Sequence, residues 1–308
     1  MIFFKKMLYF LDPLIPVFPK DRIISLKNGR KKLLLPYFFS NISAYYPSLA
    51  QHEGRKFLFF CKSSYADGVY HFLGIGYYDF NSKTSGVLAF GKEIDFTSRA
   101  IRGVACFSRN GSLFLSLTTE NSAEIFLLDV KGKRVFASSV KKVFLEKNIS
   151  SISFFPHEES LWGVCTVKGG NSVFVEKIEW QEMTGTFLCG CVGRKILSVG
   201  IGKEIGWPVL YPSGNKFVLV AGVSEGHVYH SEIMRFDADE LFGNYGQGRV
   251  LTSYKNILLE GVESAYPAFD VTKEELYYTG FGGFHLLYPY TYWHYRKKKL
   301  KSSQEVGF

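Results

Sequence analysis

Apolar positions along this chain fall into short β-type runs separated by polar turns, with no long stripe at helical spacing. One phrase recurs five times: an aromatic or apolar residue, often next to Pro, a β run, a polar turn, and a second apolar run. The clearest copies are Tyr46-Pro47-Ser48-Leu49 before Phe57-Leu58-Phe59-Phe60, Trp207-Pro208-Val209-Leu210 before Phe217-Val218-Leu219-Val220, and Tyr266-Pro267-Ala268-Phe269 before Leu276-Tyr277-Tyr278. Ala105-Cys106-Phe107 before Leu113-Phe114-Leu115, and Ile152-Ser153-Phe154 before Leu161-Trp162-Gly163-Val164, are fainter copies. Taking positions 47, 105, 152, 208 and 267 as equivalent gives spacings of 58, 47, 56 and 59 residues. A repeat of that length made of hairpins predicts an all-β, five-bladed β-propeller with blades of about four antiparallel strands.

The pattern also predicts individual strands. The first blade runs through Ser48–Leu49, Lys56–Cys61, Gly74–Phe80 and Gly86–Phe90, and Arg109-Asn110-Gly111 marks a tight hairpin in the second. Val173–Trp180 and Gly185–Cys189 fall to the third blade, Val228–Phe236 and Arg249–Thr252 to the fourth, and Glu275–Thr279 and His285–Tyr288 to the fifth. Leu33-Leu34-Leu35 is the expected N-terminal strand that closes the ring and removes its exposed edges. The organisation read this way is a basic and apolar segment over 1–32, the propeller over 33–295, and a basic tail over 296–308.

Composition changes this picture in two respects. The 308 residues carry a net charge of +9, which on its own suggests an anionic partner. The charge is terminal, however: residues 1–32 hold +6 and residues 295–308 hold +4, which leaves −1 for the body. No specific nucleic-acid contact is expected, and the termini are either solvated tails or a patch for an anionic surface. The five cysteines, Cys61, Cys106, Cys165, Cys189 and Cys191, sit mostly in apolar runs and read as buried thiols of a reducing, cytoplasmic compartment. No uncharged apolar stretch is long enough to span a bilayer. The greasy start Met1–Leu11 is either an interfacial anchor or a segment buried on the propeller.

The segment Glu204-Ile205-Gly206-Trp207-Pro208-Val209-Leu210-Tyr211, with Gly214-Asn215-Lys216-Phe217, Glu225-Gly226-His227 and the later Asp239–Tyr245, resembles the fourth blade of five-bladed glycosidases of families 43 and 32. Tyr46-Pro47-Ser48-Leu49 and Gly74-Ile75-Gly76-Tyr77 look like the first blade of such enzymes. The resemblance implies a carbohydrate-binding or carbohydrate-processing propeller with its site in a central funnel. The three carboxylates of those enzymes are missing in register, where Tyr46, Ser151 and Gly206 stand instead.

Glycoside hydrolysis needs two carboxyl groups across the sugar, one to protonate the leaving oxygen and one to act on water or the anomeric carbon. Glu204 and Glu263 are the carboxylates near the start of an innermost strand, and are the candidate acid and base; both also read as exposed loop glutamates. Tyr45, Tyr46, Trp207 and Tyr266 are candidate stacking surfaces for a sugar, or packing between inner strands. Arg99 and Arg102 are candidate clamps for an anionic group, and His227 a polar contact, with turn pairing as the plainer explanation. No cofactor and no metal is implied, since Cys189-Gly190-Cys191 matches no common zinc spacing and the His227, His230 pair has no third ligand nearby. The competing reading is a non-catalytic interaction propeller that holds a protein, a membrane surface or an anionic polymer.

Overall fold

The computed structural model describes residues 20–282, apart from 28–29, 34–41, 67–68, 91–100, 121, 146–148, 182–185, 190–192, 226–227, 243–248, 256–267 and 274. In chain order the strands begin with β1 (Lys20–Lys27) and β2 (Arg30–Leu33). Sheet I follows as β3 (Ile42–His52), β4 (Arg55–Ala66), β5 (Val69–Asp79) and β6 (Thr84–Val87). After the short β7 (Ala89–Phe90), sheet II is built on β8 (Gly103–Arg109), β9 (Ser112–Thr118), β10 (Ser122–Lys131) and β11 (Arg134–Leu145). Sheet III takes β12 (Ile149–His157), β13 (Ser160–Val167) and β14 (Ser172–Lys177); the chain then forms β15 (Glu179–Gln181) and β16 (Thr186–Cys189) before returning as its outer strand β17 (Arg194–Ser198). Sheet IV is β18 (Lys203–Ser213), β19 (Lys216–Glu225), β20 (Val228–Asp237) and β21 (Arg249–Lys255), with the one-turn helix α1 (Ala238–Phe242) after β20. Finally β22 (Ala268–Asp270) and β23 (Glu275–Gly282) pair with β1 and β2 to make sheet V.

These small antiparallel sheets stand in a propeller arrangement, and their cores show why. Phe57, Leu58, Phe59 and Phe60 are all fully buried, although neighbours on a strand point to opposite faces. Phe57 and Phe59 pack with Val104, Leu113 and Phe126 of sheet II, whereas Leu58 and Phe60 pack with Tyr277 of sheet V and Val218 of sheet IV. Sheets II and III join through Phe107, Ile125, Ile152 and Phe154, and sheets III and IV through Phe155, Val173, Leu210 and Phe236. Sheet I is thus buried on both faces, which is why its middle strand reads as an unbroken apolar run. The chain of contacts passes from I through II, III, IV and V back to I.

Three features differ from the sequence expectation. The strand that bonds to the last hairpin is Lys20–Lys27, with Ile24 opposite Tyr278 and Leu26 opposite Leu276, while Leu33 ends the outer strand β2. Residues 186–189 leave sheet III: β16 runs parallel to β11, with Phe144 opposite Leu188, and β7 also pairs with β11. Sheet II therefore has seven strands among the described residues, against four in each other sheet. Finally, Cys165 is disulfide-bonded, which corrects the expectation of free thiols at that position. Cys61 and Cys106 are buried and form no disulfide. The predicted strand His285–Tyr288 lies outside the described residues.

Candidate functional site

The inner strands β3, β8, β12 and β18 run the same way side by side, which gives the propeller a leading face where they begin and a trailing face where they turn. A cleft opens between them in the leading half, lined by Tyr46 and Pro47 of β3, Gly103 and Val104 of β8, Ser151 and Ile152 of β12, and Trp207, Pro208 and Val209 of β18. These are within two residues of the repeat positions 47, 105, 152 and 208; position 267 lies outside the described residues. The enclosed space is about 20 Å³, room for about one water molecule. None of the lining residues carries a charge.

Two of those residues are held in an unusual backbone conformation. Tyr46 has φ 56° and Trp207 has φ 51°, each directly before a proline and each inside a strand. Left-handed backbone is disfavoured for such residues, at about 1–3 kcal/mol each. The ladder slips at the same points, between Tyr45 and Ser48 and between Gly206 and Val209. These bulges re-aim Tyr46 and Trp207 towards the cleft.

Buried hydroxyls of neighbouring inner strands hold the bulges in place. The Trp207 amide donates to Ser151 Oγ at 2.9 Å, and Ser151 Oγ also meets Thr166 Oγ1 at 2.8 Å. Ser153 Oγ donates to the Pro208 carbonyl at 2.7 Å, tying β12 to β18 a second time. Between β3 and β8 the Cys106 amide donates to Ser48 Oγ at 2.8 Å, and between sheets II and III Thr118 Oγ1 of β9 donates to the Ile152 carbonyl of β12 at 3.3 Å. Burial pushes the Cys106 thiol up, so its sulfur is not a thiolate nucleophile despite its place on an inner strand. Half-buried Lys62 on β4 is held below its ordinary ammonium value by burial.

The predicted site residues divide as follows. Tyr46 and Trp207 line the same cleft. Glu204 is exposed on β18, opposite Ser224, and is not among the lining residues. Arg102 donates to Glu120 at 2.8 Å, in an exposed ion pair. Tyr45 lies on β3 opposite Cys61. Arg99, His227, Glu263 and Tyr266 lie outside the described residues. Among the described residues no group of three or more His, Cys, Asp or Glu side chains gathers to hold a metal, and no helix is long and apolar enough to cross a membrane.

At the positions where the glycosidase-like pattern expects carboxylates, Ser151 and Gly206 differ in kind. Ser151 is buried and doubly bonded, so its hydroxyl is part of the fold. A Cβ built on Gly206 meets nothing within 4 Å, so packing does not demand glycine there. Ser153, Gly103 and Val104 were missed by sequence reasoning. The alternation of Ser151 and Ser153 along a strand that is otherwise apolar was the available signal for the hydroxyl clasps.

No protein-family model and no curated protein matches the chain. Among solved structures it is similar to the GH43B protein of the Bacteroides ovatus xyloglucan PUL, at 13% identity and TM-score 0.47, over 79% of this chain and 46% of that one. It is similar to the native arabinanase Arb43A of Bacillus subtilis, at 12% identity and TM-score 0.43, over 77% of this chain and 93% of that one. It is also similar to a hypothetical protein from Leishmania major, at 9% identity and TM-score 0.46, over 80% of this chain and 87% of that one. The chain spans less than half the length of the first of these.

Proposed function

We propose that this chain is a five-bladed propeller that binds a carbohydrate over its leading face and does not hydrolyse it. Sheets I to V are the five blades in this reading, with β15, β16 and β7 as additions to the second, and β1 as the closing strand. The observation that carries the ligand class is the convergence of Tyr46 and Trp207, re-aimed by strained bulges, on an uncharged cleft. An aromatic face covers the apolar C–H surface of a sugar, while backbone and hydroxyl groups bond its rim. Because the cleft admits only about one water, the sugar ring lies over its mouth rather than inside it. Among the described residues no pair of carboxylates lines the cleft, so those residues supply neither a proton donor for the leaving oxygen nor a base for water. If hydrolysis did occur, it would fall to Glu204 as acid and Glu263 as base.

A glycan array with parallel assays on aryl glycosides tests this. Binding to some glycans, lost by at least about tenfold in Trp207→Ala and Tyr46→Ala, with no glycoside cleaved, is the expected result. Cleavage that disappears in Glu204→Gln or Glu263→Gln overturns the non-hydrolytic reading. A blank array together with blank assays overturns the carbohydrate reading.

A further inference from the structure

Each sheet ends on an outer strand whose far side pairs with no other strand among the described residues, and an open strand edge is a template for another chain. Most of these edges carry charge in their sequence. β2 reads Arg-Lys-Lys-Leu, β15 contains Glu179, β17 contains Arg194 and Lys195, and β21 begins at Arg249 and ends at Lys255. β6 differs, reading Thr84-Ser85-Gly86-Val87 with no charge at all.

Burial alternates along β6, so Thr84 and Gly86 face the protein while Ser85 and Val87 face solvent. The inner side is filled at Gly86: a Cβ built there would lie 2.4 Å from the Tyr77 hydroxyl, which donates to the Lys133 carbonyl and ties this edge to sheet II. On the outer side Val87 is 49% exposed, and its Cγ1 lies 3.4 Å from a Cβ built on Gly74. Leu73, next to that glycine, is 48% exposed. Two of the four large hydrophobic side chains exposed among the described residues therefore flank one uncharged edge. The backbone is set for pairing as well. Leu88 N–H donates to the Ile75 carbonyl at 2.8 Å, so the alternation of an antiparallel ladder gives β5 the bonds of Leu88, Gly86 and Thr84. The N–H and C=O groups of Ser85 and Val87 point outward.

We infer that β6 is a self-association edge, at which two copies of this chain pair antiparallel about a two-fold axis and join their sheets I into one continuous sheet. Charge selects the occupant. A two-fold contact sets a strand against its own sequence, and like charges directly opposite are destabilising. Pairing β21 with its own copy end to end would set Arg249 opposite Lys255, and pairing β2 would set Arg30 opposite Lys32. β6 against β6 meets no like charge: with Gly86 opposite Gly86, Ser85 falls opposite Val87, and each outward N–H and C=O of those two residues finds a partner. The edge lies on the outer strand of sheet I, whereas the Tyr46–Trp207 cleft is built on inner strands, so the inference stands whether or not a sugar binds there.

Sedimentation velocity of the full chain over about 1–100 μM tests it. One short strand and two aliphatic side chains make a small contact, so a reversible dimer with a micromolar Kd is expected. Val87→Lys sets an ammonium on the edge and should raise that Kd by about tenfold or more. Ser85→Pro removes an outward N–H without touching the bonds to β5, and should do the same. Circular dichroism and the denaturant midpoint show whether each variant is folded; should Ser85→Pro fail to fold, Val87→Lys alone decides. A chain that stays monomeric at the top of this range, a dimer undiminished in either folded variant, or a series that grows past the dimer would each overturn the proposal.

Discussion

The two faces of the ring solve the same problem, joining neighbouring sheets, with different chemistry. On the leading side the clasps are buried hydroxyls: Ser48 to Cys106, Thr118 to Ile152, and Ser151 and Ser153 to Trp207 and Pro208. On the trailing side they are cations: Lys56 to Asp270, Arg55 to Gly132, Arg109 to the Glu159 carbonyl, and Arg194 to the Leu241 carbonyl. Backbone strain is divided in the same way. Glu53, Lys83, Asn110 and Glu158 have positive φ in trailing-face turns, where such a conformation closes a hairpin. Tyr46 and Trp207 have it in mid-strand, where no turn needs it. The trailing face is where the fold is fastened, and the leading face is where it tolerates strain to present two aromatics.

Substitutions that strike one face and spare the other sharpen this contrast. The largest effect is expected from Asp270→Ala, which leaves the Lys56 ammonium, itself 13% exposed, without its carboxylate. Breaking a buried pair in this way costs about 3–5 kcal/mol, read from the denaturant midpoint, with the leading-face cleft intact in the folded fraction. Ser151→Ala comes next, at about 1–3 kcal/mol, because it orphans the Trp207 amide; unlike Asp270→Ala it should also weaken glycan binding. Gly222→Ala sets a Cβ 3.1 Å from Trp207 Cε3, so the indole must give way, and a loss of glycan affinity with stability lowered by no more than about 1–3 kcal/mol is expected. The smallest effect belongs to Arg102→Ala, whose exposed bridge to Glu120 is worth about 0.2–1 kcal/mol.

Acid separates the faces as well. Burial pushes the carboxyls of Asp79 and Asp270 up, but the hydrogen bonds and charge of Arg55 and Ser82 around one, and of Lys56 and Thr272 around the other, outweigh it and hold both below the usual carboxylate value. Their folded values lie below the unfolded value, so their contribution is complete above about pH 4 and is lost as pH falls through the folded values. Hydrogen exchange on lowering pH should therefore open the trailing ends of sheets I and V before the hydroxyl-clasped strands β12 and β18. Simultaneous opening would contradict the division.

How much of this was legible in the sequence depended on whether the signal was local. Phe57-Leu58-Phe59-Phe60 marked a strand, and the Pro-marked positions 47 and 208 located two of the inner strands that line the cleft. The move of β16 to β11 was not legible, because parallel pairing across two sheets leaves no mark in the paired residues themselves. The closing strand Lys20–Lys27 was hidden for another reason: three Lys or Arg residues around Ile23-Ile24 made it look like part of a basic tail. The serine clasps were concealed because Ser reads as a turn residue until its position inside a buried strand is known. The missing carboxylates were visible from the start as Ser151 and Gly206, but only the structure separates a serine that the fold requires from a glycine that it does not.

The most direct measurement is a calorimetric titration of the glycans that score on the array into the wild-type chain, with chromatography of the same samples for cleavage products. The account predicts saturable heat, intact glycan afterwards, no heat in Trp207→Ala, and unchanged heat in Glu204→Gln. Shortened glycans in the wild-type sample that are absent with Glu204→Gln, or undiminished heat in Trp207→Ala, would contradict it.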